Sequence, residues 1–281
     1  MLCAPRYNTG AMTPAAPIPA NPTVLVFDSG LGGLTVLREI AALRRDLKLV
    51  YAVDDAGFPY GPLAETELVA RVSVVMDGLV RRHRPDLVVI ACNTASTAVL
   101  PVLRAKYPIP FVGTVPAIKP ACAQSKTKRI SVLATPGTVK RDYTRDLIRE
   151  FAADCKVDLV GSPNLAPLAE AFLRGEAVSD EAIAKEIAPA FVDDGAKTDT
   201  VVLACTHYPL LLDRMRTLAP WPVTWIDAAP AIARRAASLL PPPSAPLNQA
   251  VRADFTSGDT PNPALAKALQ SFGIEAAKQA V

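Results

Sequence analysis

The stretch V-V-I-A-C-N-T-A (88–95) returns with small changes as V-V-L-A-C-T-H-Y (201–208). Each is a short apolar run ending in Ala-Cys and followed by hydrogen-bonding residues. Such runs, too brief for a helix and without polar alternation, read as strands buried on both faces, the condition of a parallel sheet covered by helices. Cys92 and Cys205 lie 113 positions apart. The turns D-S-G-L-G-G (28–33) and T-P-G-T (135–138), each after the opening strand of its half, lie 107 apart. Nearly equal offsets point to an internal duplication. Chance likeness between apolar strands is the competing explanation.

Outward from these motifs, Val/Ile/Leu runs alternate with longer amphipathic stretches, the pattern of βαβ units. Strands are expected at 23–28, 48–53, 86–91 and 109–113 in the first half. In the second they are expected at 129–134, 156–160, 199–204 and 222–226. V-R-A-D-F-T-S-G-D (251–259) reads as a further strand and turn on the first domain, and P-P-P-S-A-P (241–246) as a stiff connector. The fold class is therefore α/β, with two similar doubly wound parallel-sheet domains related by pseudo-twofold symmetry and the site in the cleft between them. Residues 1–22 form a flexible N-terminal extension, 23–115 plus 227–281 the first domain, and 116–226 the second.

With 281 residues, half of them hydrophobic and a fifth charged, the chain has the composition of a globular protein. Thirty basic and 27 acidic residues are interspersed, giving a net charge of +3 without the basic block of a nucleic-acid binder. No apolar stretch reaches the ~18 residues of a membrane span. Five dispersed cysteines indicate neither a disulfide framework nor a CxxC zinc site, so reduced thiols in a cytoplasm are expected.

Ligands of parallel sheets bind beyond the carboxyl ends of the strands. Asp28-Ser29, the D-D-A-G-F-P-Y-G segment (54–61), Cys92-Asn93-Thr94 and Cys205-Thr206-His207 occupy those positions. A thiol between a strand and a helix feels the positive end of the helix dipole, which favours the thiolate. A buried structural cysteine is the alternative for either thiol alone. Asp28 can hydrogen-bond a thiol or a ligand ammonium, and Ser29 either serves the same ligand or caps the next helix. Gly30, Gly32 and Gly33 open the backbone N–H groups to an anion, but G-x-G-G is not the dinucleotide fingerprint. His207 can polarise a thiol or bind a carboxylate, whereas His83, within R-R-H-R-P-D, is expected to be solvated.

The segments F-D-S-G-L-G-G-L-T-V, F-P-Y-G, A-C-N-T-A-S, A-P-L-A-E, L-A-C-T-H-Y-P-L-L and F-T-S-G-D run in order from about residue 27 to 259. Together they resemble the glutamate racemases of the aspartate/glutamate racemase superfamily. The resemblance implies interconversion of L- and D-glutamate, which supplies D-glutamate for peptidoglycan, without pyridoxal phosphate, metal or nucleotide. It implies that Cys92 acts on D-glutamate and Cys205 on L-glutamate. Asp28, Ser29, Tyr60, Gly61, Asn93, Thr94, Thr206 and His207 would hold the substrate. Asp28 and His207 would also assist their neighbouring thiols, with Glu170 in a lesser part beside Cys205. A homodimer is likewise implied, and from the charge pattern and hydropathy neither a nucleic-acid nor a membrane partner is expected. One departure is Ser162-Pro163, where the family often has Cys-Pro. The rival readings are an aspartate or hydantoin racemase, an amino-acid-binding module and a thiol redox protein.

Overall fold

The computed structural model describes residues 17–280. Most of the expected N-terminal extension, including Cys3, lies outside the described residues. Ten strands alternate with helices: β1 (Thr23–Asp28), β2 (Lys48–Val53), β3 (Leu87–Ile90), β4 (Phe111–Gly113), β5 (Arg129–Ala134), β6 (Lys156–Gly161), β7 (Thr200–Ala204), β8 (Thr224–Asp227), β9 (Val251–Phe255) and β10 (Ile274–Ala280). Five helices matter here: α1 (Leu34–Leu43), α2 (Glu65–His83), α3 (Asn93–Lys106), α4 (Leu165–Leu173) and α5 (Ala229–Ser238).

The strands form two sheets, ordered β10-β9-β2-β1-β3-β4 and β6-β5-β7-β8, with every ladder parallel. The order β2-β1-β3-β4 in one sheet is the order β6-β5-β7-β8 in the other, so the halves repeat one topology. The strand period of two explains the layers. Val24 and Val26 of β1 face one core with α1 and α5, while Leu25 and Phe27 face the opposite core with α2 and α3. Both faces of the second sheet are covered in the same way. Each fully buried aliphatic side chain contributes about 1.5–3 kcal/mol, so the central strands tolerate little polarity.

β4 belongs to the first sheet, β8 to the second, and α5 returns to pack on the first core. On that basis we place the two crossings between the domains near residues 114–117 and 227–228. The strand expected at 251–259 lies in the first sheet, but β10 was not anticipated. Its sequence, I-E-A-A-K-Q-A, carries little β-propensity; pairing with β9 holds it in the sheet.

His83 also departs from expectation. Its ring is buried at the end of α2, with Nε2 2.7 Å from Oδ2 of Asp254 on β9. A charged neighbourhood in sequence thus folds onto a buried carboxylate that Arg82 also contacts. Among the described residues, no helix is long and apolar enough to cross a membrane.

Candidate active site

The ends of β1, β3 and β7 converge where the two domains meet. Cys92 is the N-cap of the 14-residue helix α3. Cys205 precedes a four-residue 3-10 turn, Tyr208–Leu211, that runs directly into a seven-residue α-helix, Leu212–Leu218, so a helical segment follows each thiol but begins as a 3-10 turn on the Cys205 side. On that side a polar partner is also at hand, His207, whose Nδ1 is 3.8 Å from the Cys205 sulfur. Both cysteines are about 5% exposed.

Asp28 joins the two sides. It is wholly buried, and its Oδ1 accepts the Ser29 N–H at 2.7 Å. Oδ2 accepts the Gly33 N–H at 2.5 Å and, from the other domain, the Thr206 hydroxyl at 3.2 Å. Ser29 Oγ is 3.7 Å from the Cys92 sulfur. Burial raises the Asp28 carboxyl to about 6, although His207 and the two backbone N–H groups pull the other way.

Burial, followed by the Asp28 charge, pushes the Cys92 thiol well above its ordinary value, against the helix dipole. The helix dipole expected to favour the Cys92 thiolate is opposed here by burial, which in a dry pocket beside a carboxylate favours the neutral thiol.

A second chain of groups backs Cys205. His207 Nε2 donates to Glu170 Oε1 at 2.8 Å, and the same oxygen accepts the Leu31 N–H across the domain boundary at 2.5 Å. Burial lowers the His207 ring's proton affinity, but the bonds to Cys205 and Glu170 outweigh it and the ring is raised well above its ordinary value. Burial would raise Glu170; the His207 bond and charge, with Leu31 N–H and Arg174, outweigh it and hold the carboxyl below its ordinary value. The glycine-rich turn was expected to offer N–H groups to an anion. Two of its N–H groups instead hold the protein's own carboxylates, Asp28 and Glu170.

Thr94 Oγ1 meets Thr135 Oγ1 at 2.9 Å and Thr138 Oγ1 at 3.2 Å, a hydroxyl cluster joining the domains. Asn93 is buried, and among the described residues its side-chain Nδ2 has no hydrogen-bond partner. Gly61 lies against Thr135, and a cavity of about 160 Å³ there is lined by Pro59, Gly61, Thr135 and Ser162, among others. Tyr60 is buried with its hydroxyl donated to Asp54.

Sequence reasoning did not assign Thr135, Thr138, Asp54 or Phe58, whose ring lies 5.4 Å from that of His207. The duplication offset of 107 would have found Thr135, since it equates that residue with Asp28. Cys122 and Cys155 pack together in the second core, apart from this site.

Residues 27–236 match the Asp/Glu/Hydantoin racemase family. The chain belongs to this family. A glutamate racemase from Sinorhizobium fredii (strain NBRC 101917 / NGR234) is 57% identical over 255 residues, covering 89% of this chain and 95% of that protein. One from Brucella canis is 52% identical over 272 residues, covering 93% and 98%. The crystal structure of Escherichia coli glutamate racemase, solved with L-glutamate and an activator, is 43% identical with a TM-score of 0.83, covering 91% of this chain and 97% of that one. In this racemase-family chain, Ser162 at the departure from Cys-Pro accepts the Leu165 N–H at the start of α4 and donates to Glu186.

Proposed function

We propose that this chain racemises glutamate at its α-carbon by a two-thiol mechanism, with Cys205 acting on the L-enantiomer and Cys92 on the D-enantiomer. The observation that carries the reading is one buried carboxylate, Asp28, flanked by Ser29 beside Cys92 on one side and by Thr206, the neighbour of Cys205, on the other. Racemisation needs an acid and a base on opposite faces of one carbon, and a duplicated chain offers them.

In the free protein burial favours the protonated Cys92, ready to give, while the bonds to Cys205 and Glu170 favour the charged form of the His207 ring that faces the Cys205 sulfur. That pairing suits removal of the L-glutamate proton by Cys205 and return from Cys92. Asp28 is placed to take the substrate ammonium. Asn93 Nδ2 and the hydroxyls of Thr94, Thr135, Thr138 and Thr206 can donate to its carboxylates, and donors are needed where charge grows in the carbanion-like state. The relatives' names and the F-P-Y-G and C-T-H-Y motifs favour glutamate over aspartate.

The test is circular dichroism of an L-glutamate solution containing purified protein and no added cofactor, with α-proton exchange followed in deuterated water. Loss of rotation with solvent deuterium entering the α-position is expected. Activity on aspartate alone would defeat the glutamate reading. The reduced thiols favour a cytoplasmic enzyme, and the family resemblance extends to a homodimer, which sedimentation would detect.

The Asp28 carboxyl at about 6 sets a pH dependence. A pKa raised from the ordinary 3.8 means that the protonated form stabilises the fold. That contribution is complete below 3.8 and is lost as pH rises through about 6, a cost on the order of 3 kcal/mol at neutral pH. Activity has the opposite sign, because only the carboxylate can take the ammonium. We expect kcat/KM to fall about tenfold per pH unit below about 6. A profile flat from pH 7.5 to 5 would contradict this.

Glu170→Gln should weaken the charge on His207 and slow proton removal on the Cys205 side. Enantiomers have an equilibrium constant of one, so kcat/KM must drop equally in both directions. A side-specific defect is visible only in isotope effects. The primary effect with α-deuterated L-glutamate is expected to grow while that with α-deuterated D-glutamate shrinks, as Cys205 becomes the slower partner. Equal changes for both enantiomers would remove Glu170 from that side.

A further inference from the structure

The F-T-S-G-D segment after β9 contributes no group to the reacting centre, yet two of its hydroxyls reach toward the site. Thr256 Oγ1 donates to Asp54 Oδ1 at 2.7 Å and lies 3.2 Å from Asp55 Oδ1. It also accepts the Ala56 N–H at 3.2 Å. Ser257 donates both its N–H and its hydroxyl to the Asp55 carboxylate, at 2.9 and 2.5 Å.

Asp54 is wholly buried at the end of β2 and takes Arg71 of α2 in a bidentate pair at 2.6 and 2.7 Å. Its remaining partner is the Tyr60 hydroxyl. One carboxylate is thus gripped from a helix, from the segment after β9 and from the F-P-Y-G segment. Each grip is a charge-assisted hydrogen bond, the stronger kind.

The segment so held ends at the domain boundary. The Gly61 carbonyl lies where a methyl group added to Gly137 of the second domain would be 2.7 Å away, and Gly61 also borders Thr135. A shift of the 58–61 backbone would therefore move one wall of the substrate cleft. We propose that Thr256 and Ser257 form a clasp which, through Asp54 and Asp55, fixes the Tyr60–Gly61 backbone for substrate binding. They are positioning residues, not catalytic ones. The inference rests on the racemase reading for its substrate.

A clasp that sets the wall before substrate arrives acts on affinity, so its loss belongs in KM. Thr256→Val keeps the shape and removes the hydroxyl. It should raise KM for glutamate about tenfold, the scale of one hydrogen bond to a charged group, with kcat changed less than about twofold. Thr256→Ser, which keeps the hydroxyl, should restore wild-type KM.

An unchanged KM in Thr256→Val would overturn the clasp, as would a Ser variant impaired as severely as the Val variant. Thermal melting shows whether Thr256→Val is folded. If it is not, Ser257→Ala on the exposed arm carries the test, with KM raised about threefold expected and an unchanged KM overturning the proposal. A wild-type protein inactive on glutamate would defeat the racemase reading instead. Calorimetric glutamate binding by the same variants would then decide the clasp, which fails if affinity is unaltered in all of them.

Discussion

Serine in place of either cysteine should lower racemisation by about 10³-fold or more, since a hydroxyl is a far weaker base than a thiolate and general acid–base steps contribute ~10²–10⁴ each. Both directions need both groups. Whichever enantiomer enters, one thiol takes the proton and the other supplies its replacement, so neither Cys92→Ser nor Cys205→Ser retains a complete path. The partial reactions should differ. With Cys205 intact, Cys92→Ser is expected to exchange the α-proton of L-glutamate with deuterated solvent without inverting it. Cys205→Ser should do the same for D-glutamate. Both sites are small and buried, and Cys-to-Ser changes little volume, so melting temperatures near wild type would separate chemistry from folding. Nuclear magnetic resonance of the α-position reads the exchange, and polarimetry reads the inversion. Full turnover in either variant, or exchange of the same enantiomer by both, would end the two-thiol scheme.

Much of this geometry was legible from the sequence because parallel strands buried on both faces are simple to write: β3 (L-V-V-I) is a pure run of Leu, Val and Ile, and β7 (T-V-V-L-A) departs from such a run only at its first residue. Chemistry in such sheets collects at strand ends, which placed Asp28, Cys92 and Cys205 in view before any coordinates. Groups that act through space were hidden. His83 and Asp254 are 171 positions apart and pair only because α2 ends beside β9. Asp54 came into view only as part of the segment after β2 and its role did not, since its partners Arg71 and Thr256 come from a helix face and from the far end of the chain. Thr135 and Thr138 were read as turn chemistry, and only the meeting of the two domains sets them against Thr94. The direction of the Cys92 shift was misread for a related reason. A helix dipole is a local property written in sequence, whereas desolvation depends on everything packed around the sulfur, and here desolvation dominates.

The contact between the glycine-rich turn and His207 leads to the second large effect. A methyl group on Gly32 would lie 2.6 Å from the His207 backbone nitrogen, 2.4 Å from Nδ1 and 2.7 Å from Cγ. None of these atoms can yield cheaply. The backbone nitrogen lies three residues past the end of the buried strand β7, in a buried segment, and the ring is held between Cys205 and Glu170. Gly32→Ala must therefore either push the two domains apart or rotate the ring out of line, and both outcomes lengthen the 3.8 Å approach of Nδ1 to the Cys205 sulfur. Displacements of about 1 Å at a reacting centre cost on the order of 10²-fold, so kcat/KM should drop by about that factor. The loss should appear chiefly with α-deuterated L-glutamate as an enlarged isotope effect, because the disturbed group faces Cys205. Wild-type kcat/KM in Gly32→Ala would mean that the domains part freely at this seam, and the tight packing of turn against ring would then have no part in holding Cys205 ready.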